Sequence, residues 1–232
     1  MRTNVPGGIR VVGRTDGGAR VEAGRLAQGQ HPEALLARHG WRADRAVGAD
    51  LAADGALELA YVVSRLSGIR PGEVDVPRDP DVAPDEAGDP YQRVAAYAVV
   101  RSDRGLLLTQ YNDLTHVAGS WGLPGGGLDD GESPVEGVHR EVWEETGQRI
   151  ELGGLAEVQS SHWIGRAPNG VVEDFHAVRI VYRASCPQPT DTTVHDVGGT
   201  TADARWVPLD LLGELSLSAP WHHVSELALG SP

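Results

Sequence analysis

Three glutamates, Glu141, Glu144 and Glu145, stand at spacings i, i+3 and i+4. On a helix this brings their carboxylates to one side, where each like-charge pair costs about 0.2–0.5 kcal/mol. Arg140 offsets part of that cost by pairing with Glu136 or Glu144, each four residues away. A hard divalent cation offsets far more, and clustered carboxylates are ligands suited to Mg²⁺ or Mn²⁺. An ion held there can bridge phosphate oxygens, neutralise developing charge and lower the pKa of a bound water. The spacing predicts metal-assisted phosphate chemistry.

The elements that must position these side chains can be read around them. A glycine run at Gly125–Gly127 feeds a helix expected over residues 133–147. Ser133 is suited to cap it, Pro134 to occupy its first position, and Glu136 to complete a capping box three residues after Ser133. Gly147 supplies the stop. Val135, Val138 and Val142 lie at i, i+3 and i+7, giving one stripe to bury.

The segment Gly125–Ile150, GGGLDDGESPVEGVHREVWEETGQRI, resembles the Nudix box, G-x5-E-x7-R-E-U-x-E-E-x-G-U, where U is apolar. Gly126, Glu132, Arg140, Glu141, Val142, Glu144, Glu145 and Gly147 fill their slots; Gln148 takes the last apolar slot, and Ile150 is expected to supply the packing. The departure touches packing and not the carboxylate face. Trp121-Gly122-Leu123-Pro124 also resembles the usual approach to the box.

The resemblance implies an α/β fold, a Nudix-type α/β/α sandwich with a mixed sheet, covering roughly Gln92–Leu229. It implies a hydrolase cleaving a diphosphate bond in a nucleoside diphosphate derivative or nucleotide, ADP-ribose-like, NADH-like or nucleoside triphosphate-like. Glu144, Glu145 and the Gly125 carbonyl would be metal ligands. Glu141 would bind metal or act as base through a metal-bound water. Catalysis falls to Glu141, Glu145 and Arg140, with Glu132 and Arg140 also orienting the carboxylates. Many members draw another metal ligand or base from a loop outside the box; Asp196 and Glu173 are the candidates, with Asp174 beside the latter. His162, Trp163 and Phe175 are candidates for contact with a base. ADP-ribose hydrolases of the family typically carry Pro about sixteen residues past the box; that position is Ile164 here, and the subtype stays open. A catalytically silent nucleotide sensor on the same fold is the alternative.

Outside the box, Ile69–Pro90 is rich in Pro and acids and reads as a linker. It separates a small α+β domain over residues 1–68 from the Nudix domain over 91–232. In the former, Ile9–Gly13 and Ala19–Gly24 flank one turn, Arg42–Ala49 and Ala56–Leu66 flank another, and His31–His39 suits a short helix before Gly40. His31 and His39 are read as exposed or cap positions and not as ligands. Downstream, strands are expected at Val94–Val100, Leu106–Gln110, Leu155–Ile164, Phe175–Ala184 and Arg205–Val207, and helices at Leu209–Leu212 and His222–Leu229.

Composition sets the remaining bounds. All 20 cations are Arg, and against 33 acids the net charge is −13, which argues against a nucleic-acid duplex as partner. A small polyanion remains compatible, because a metal reverses the local sign of a site. Cys186 is the only cysteine, so neither an intrachain disulfide nor a Cys-based zinc site can form. No apolar run suggests a signal peptide or a bilayer span, and the expected location is the cytoplasm. The expected partners are a nucleotide-derived small molecule and a second copy of the chain.

Overall fold

The computed structural model describes residues 2–67, 76–167 and 169–229. Its strands form two sheets. The smaller has the order β3-β2-β5-β4, built from β2 (Ile9–Arg14), β3 (Arg20–Arg25), β4 (Trp41–Leu51) and β5 (Leu57–Arg65). Both turns expected in this region join antiparallel neighbours, β2 with β3 and β4 with β5, while β2 and β5 run parallel. The helix α1 (Pro32–Arg38) covers this sheet through Leu35 and Leu36, with His31 and His39 as its caps. Ile9, Val11, Leu57 and Leu59 complete the buried layer.

The larger sheet has eight strands in the order β10-β11-β6-β7-β12, with β1 and β9 also on β6 and β8 on β7. These are β1 (Arg2–Thr3), β6 (Asp89–Ser102), β7 (Gly105–Tyr111), β8 (Trp121–Gly122), β9 (Gly125–Gly127), β10 (Glu151–Arg166), β11 (Val172–Ser185) and β12 (Thr201–Val207). The sheet is mixed: β1 is parallel to β6, and β12 is antiparallel to β7. Val94–Val100 is buried at every position, as a continuous apolar run demands of a strand covered on both faces. The helix α2 (Pro134–Thr146) follows β9, and α3 (Val224–Leu229) comes last. The helix expected at Leu209–Leu212 is a 3₁₀ helix over Leu209–Glu214; Pro208 enters it and Gly213 weakens its end. Among the described residues no helix is long and apolar enough to cross a membrane.

Contacts group the chain into two compact units. One comprises Met1–Ala95, Gly127–Pro134 and Glu157–Ile180; the other comprises Ala96–Gly126, Val135–Ala156 and Val181–Pro232. Within the first, Asn4 Nδ2 donates to the carbonyls of Val94 and Leu128 at 2.8 and 3.0 Å, and its Oδ1 accepts the Val94 N–H at 2.8 Å. Of the expected linker, residues 69–75 lie outside the described residues. The following stretch bonds to β10: Asp79 N–H donates to the Ile164 carbonyl and Ile164 N–H to that of Pro77, both at 2.9 Å.

Candidate active site

The helix α2 begins at Pro134 and ends at Thr146. Gly147 leaves it at φ +70°, the left-handed conformation that favours glycine. The buried stripe runs Pro134, Val138, Val142, Glu145. Val135 was expected in the stripe but stays exposed, because Pro134 and Gly137 supply the buried surface of the first turn. The last member of this otherwise apolar row is a carboxylate.

Glu145 is 5% exposed. Its Oε2 accepts the Gly125 N–H at 2.9 Å, and its Oε1 accepts the Thr201 hydroxyl. Burial pushes its pKa up to about 8; those two hydrogen bonds pull it back, and the charges of Glu141 and Asp196 push it higher. Among the described residues no basic side chain forms a salt bridge with it. Arg140 is engaged elsewhere: its Nη1 lies 3.0 Å from Glu141 Oε1 and 3.0 Å from Glu144 Oε2. Both carboxylates therefore share one guanidinium, with Glu144 the partner at the i+4 spacing.

The glycines before the helix let backbone and carboxylates meet. Gly125 has φ +142°, and a Cβ there would lie 2.3 Å from the Ala96 carbonyl oxygen. A Cβ on Gly126 would lie 2.5 Å from Glu141 Oε1. Glu132, in the other unit, closes its own turn: its Oε2 accepts the Asp129 N–H at 2.9 Å.

The outlying candidates fall in different places. Asp196 is brought to α2, where its N–H donates to the Glu144 carbonyl at 3.0 Å. Glu173 forms an ion pair with Arg2. His162 Nε2 lies 2.5 Å from Asp174 Oδ1, and Gly29 packs so closely on its ring that a Cβ would sit 2.3 Å from Nδ1. Trp163 and Phe175 pack on each other, ring centroids 4.7 Å apart, and Phe175 also meets Tyr91 edge-on. Gln28 joins the same cluster, with Nε2 donating to Asp174 Oδ1 at 2.9 Å. His176 is fully buried beside it. Its Nδ1 accepts from Gly29 N–H at 3.2 Å and Gln92 Nε2 at 3.0 Å, which leaves Nε2–H for Ser160 Oγ at 2.9 Å.

Sequence reasoning missed Thr201, Gln28 and His176. Thr201 lies 56 residues from the carboxylate it holds, and a lone Thr at a strand start carries no distinguishing pattern. Among the described residues no three His, Cys, Asp or Glu side chains stand as a ready-made metal cluster. The donor chemistry nonetheless suits a hard cation: carboxylate oxygens beside an uncompensated buried glutamate are what such an ion stabilises.

The family model described as NUDIX domain matches residues 91–226, more than half of the chain. This chain belongs to the Nudix family. A MutT-like protein of Streptomyces ambofaciens is 46% identical over 77 residues, 32% of this chain and 47% of that protein. An RNA pyrophosphohydrolase of Helicobacter pylori (strain G27) is 40% identical over 62 residues, 26% of this chain and 38% of that protein. The chain thus spans less than half the length of these two relatives. The crystal structure of the MutT protein from Methanosarcina mazei Go1 is 28% identical and covers 60% of this chain and 92% of that one, with a TM-score of 0.46. Within this Nudix chain, Gln148 remains the one departure from the box. It is 2% exposed, so it occupies a packing position as an apolar residue would.

Proposed function

We propose that this Nudix protein is a hydrolase that cleaves a diphosphate bond in a nucleoside diphosphate derivative or a nucleotide. The observation that carries the reading is Glu145, a carboxylate buried on the Nudix helix with no salt-bridge partner among the described residues. A protein bears that cost at a site where charge has a task. The name of the Helicobacter relative, an RNA pyrophosphohydrolase, supports diphosphate chemistry. We further place the chain's divisions at 1–68, 69–90 and 91–232.

Glu141, Glu144, Glu145 and the Gly125 carbonyl would hold Mg²⁺ or Mn²⁺, which when bound polarises the phosphate and makes water a better nucleophile. The chain supplies the rest. Arg140 keeps Glu141 and Glu144 side by side. The Gly125 N–H and the Thr201 hydroxyl fix the Glu145 carboxylate, so its orientation needs no rearrangement during reaction. Glu132 holds the turn before the helix. Asp196 is the extra carboxylate base that takes a proton from the attacking water; Glu173, tied to Arg2, is the weaker candidate. Trp163 and Phe175 remain the proposed contacts for a base, with His162 already bonded to Asp174.

The test is a panel of ADP-ribose, NADH, dinucleoside polyphosphates and nucleoside triphosphates with Mg²⁺ or Mn²⁺. Turnover of one member, lost with chelator and reduced at least about a hundredfold by Glu145→Gln, is the expected result. Tight binding of a member with no turnover would mark a sensor instead.

A further inference from the structure

Gln148 replaces the apolar residue that closes the Nudix box, yet it is buried with both ends of its amide engaged. Its Oε1 accepts the Thr190 N–H at 3.0 Å, and its Nε2 donates to Thr190 Oγ1 at 3.0 Å. The amide joins the residue after the helix stop to a segment 42 positions further along. From Thr190 the chain follows the C-terminal end of α2. Thr193 N–H donates to the Thr146 carbonyl at 3.0 Å, and His195 and Asp196 N–H both donate to the Glu144 carbonyl, at 2.6 and 3.0 Å.

The last carbonyls of any helix lack partners within it, and here the segment supplies them. A second contact sits on the outer side. Trp143, 42% exposed, stacks on the His195 ring with centroids 4.6 Å apart and planes within 17°. A third fixes the acid itself: a Cβ on Gly199 would lie 1.3 Å from Asp196 Oδ2. The carboxylate fills the space that any side chain at position 199 would take.

We propose that residues 190–199 are a strap across the end of the Nudix helix, and that Gln148, Trp143 and His195 are positioning residues that set where it presents Asp196. The hydrogen-bonded clasp at Gln148 fixes one end, and the stack fixes the strap one residue before the acid. The proposal rests on the hydrolase reading for the task of Asp196. The strap's attachment itself is independent of that reading.

The experiment has an arm that needs no turnover. Amide hydrogen exchange of the metal-free full chain reads the N–H groups of Thr193, His195 and Asp196 directly. Trp143→Ala and Gln148→Leu are each expected to speed their exchange about tenfold, and Trp143→Phe, which keeps a ring for stacking, to restore protection. In the kinetic arm, Trp143→Ala lowers kcat about tenfold or more with KM within about twofold, since misplacing a reacting group is costly. The same change made in Asp196→Asn produces no further loss of kcat. Gly199→Ala displaces the Asp196 carboxylate, the flexible end of a side chain, and circular dichroism checks that the fold is kept. It is expected to lower kcat as Asp196→Asn does while leaving Thr193 and His195 protected.

Unchanged exchange in both Trp143→Ala and Gln148→Leu overturns the strap, whatever the turnover. A kcat loss of equal size in the Asp196→Asn background overturns the link from stack to acid. Protected strap amides in a wild-type chain that turns over no substrate support the strap and overturn the hydrolase reading alone.

Discussion

His176 is fully buried, and its Nδ1 accepts two hydrogen bonds, one of them from Gly29 far away in sequence. Burial pushes its pKa down from 6.5 to about 4, the nearby His162 and His31 push it the same way, and Asp174 opposes them. Below about pH 6.5 the unfolded chain takes up a proton that the folded chain refuses until about pH 4. Stability from this group is therefore complete above pH 6.5 and is lost as pH falls toward 4. At 1.36 kcal/mol per unit, the shift from 6.5 to about 4 corresponds to about 3 kcal/mol. Protonation would also turn the Nδ1 acceptor into a donor facing two donors. His176→Asn keeps an acceptor near Nδ1 and cannot titrate, although losing the bond to Ser160 and part of the ring costs about 2 kcal/mol at neutral pH. Urea unfolding of both proteins at pH 7 and pH 4, followed by tryptophan fluorescence, isolates the effect, because the carboxylates titrate in both. Wild type should lose about 3 kcal/mol more than His176→Asn across that interval. Equal losses, within about 1 kcal/mol, would refute the assignment of a buried neutral imidazole.

Two further substitutions test close approaches. Gly29→Ala places a methyl 2.3 Å from the His162 ring and should cost about 2–4 kcal/mol in urea unfolding; a loss under about 1 kcal/mol would show that the approach is easily relieved. Gly126→Ala drives a methyl against the Glu141 carboxylate, and should weaken Mn²⁺ binding by calorimetry about tenfold or more while the fold, read by circular dichroism, is unchanged.

What the sequence disclosed was local. The helix from Pro134 to the stop at Gly147 follows from caps and spacing within a few residues, and the Arg140–Glu144 pair is an i+4 contact of the same kind. Both hairpins of the smaller sheet were signalled by their turns. The parallel β2–β5 pairing was not, since nothing in either strand names a partner 48 residues away. Val135 had the right spacing for burial and lost its place to neighbours in the first turn. The role of Gln148 was illegible because its partner Thr190 is 42 residues distant, and a single polar residue in an apolar slot looks like a packing defect. The Gln28–Asp174 contact spans 146 residues and leaves no periodic trace in either segment.

The seat of Asn4 has a consequence for how the chain acquires this structure. Its partners are the backbone of Val94 and of Leu128, the latter 124 residues downstream. At roughly 5–20 residues per second of synthesis, Asn4 waits roughly 6–25 s for Leu128 to be made. Its neighbours Arg2 and Thr3 pair with Tyr91 and Gln92 and wait almost as long. These residues are therefore locked long after they are made, and such distant closure slows the search for the native state. A nascent chain halted before residue 91 would carry this edge unpaired, open to whatever else in its surroundings can accept it.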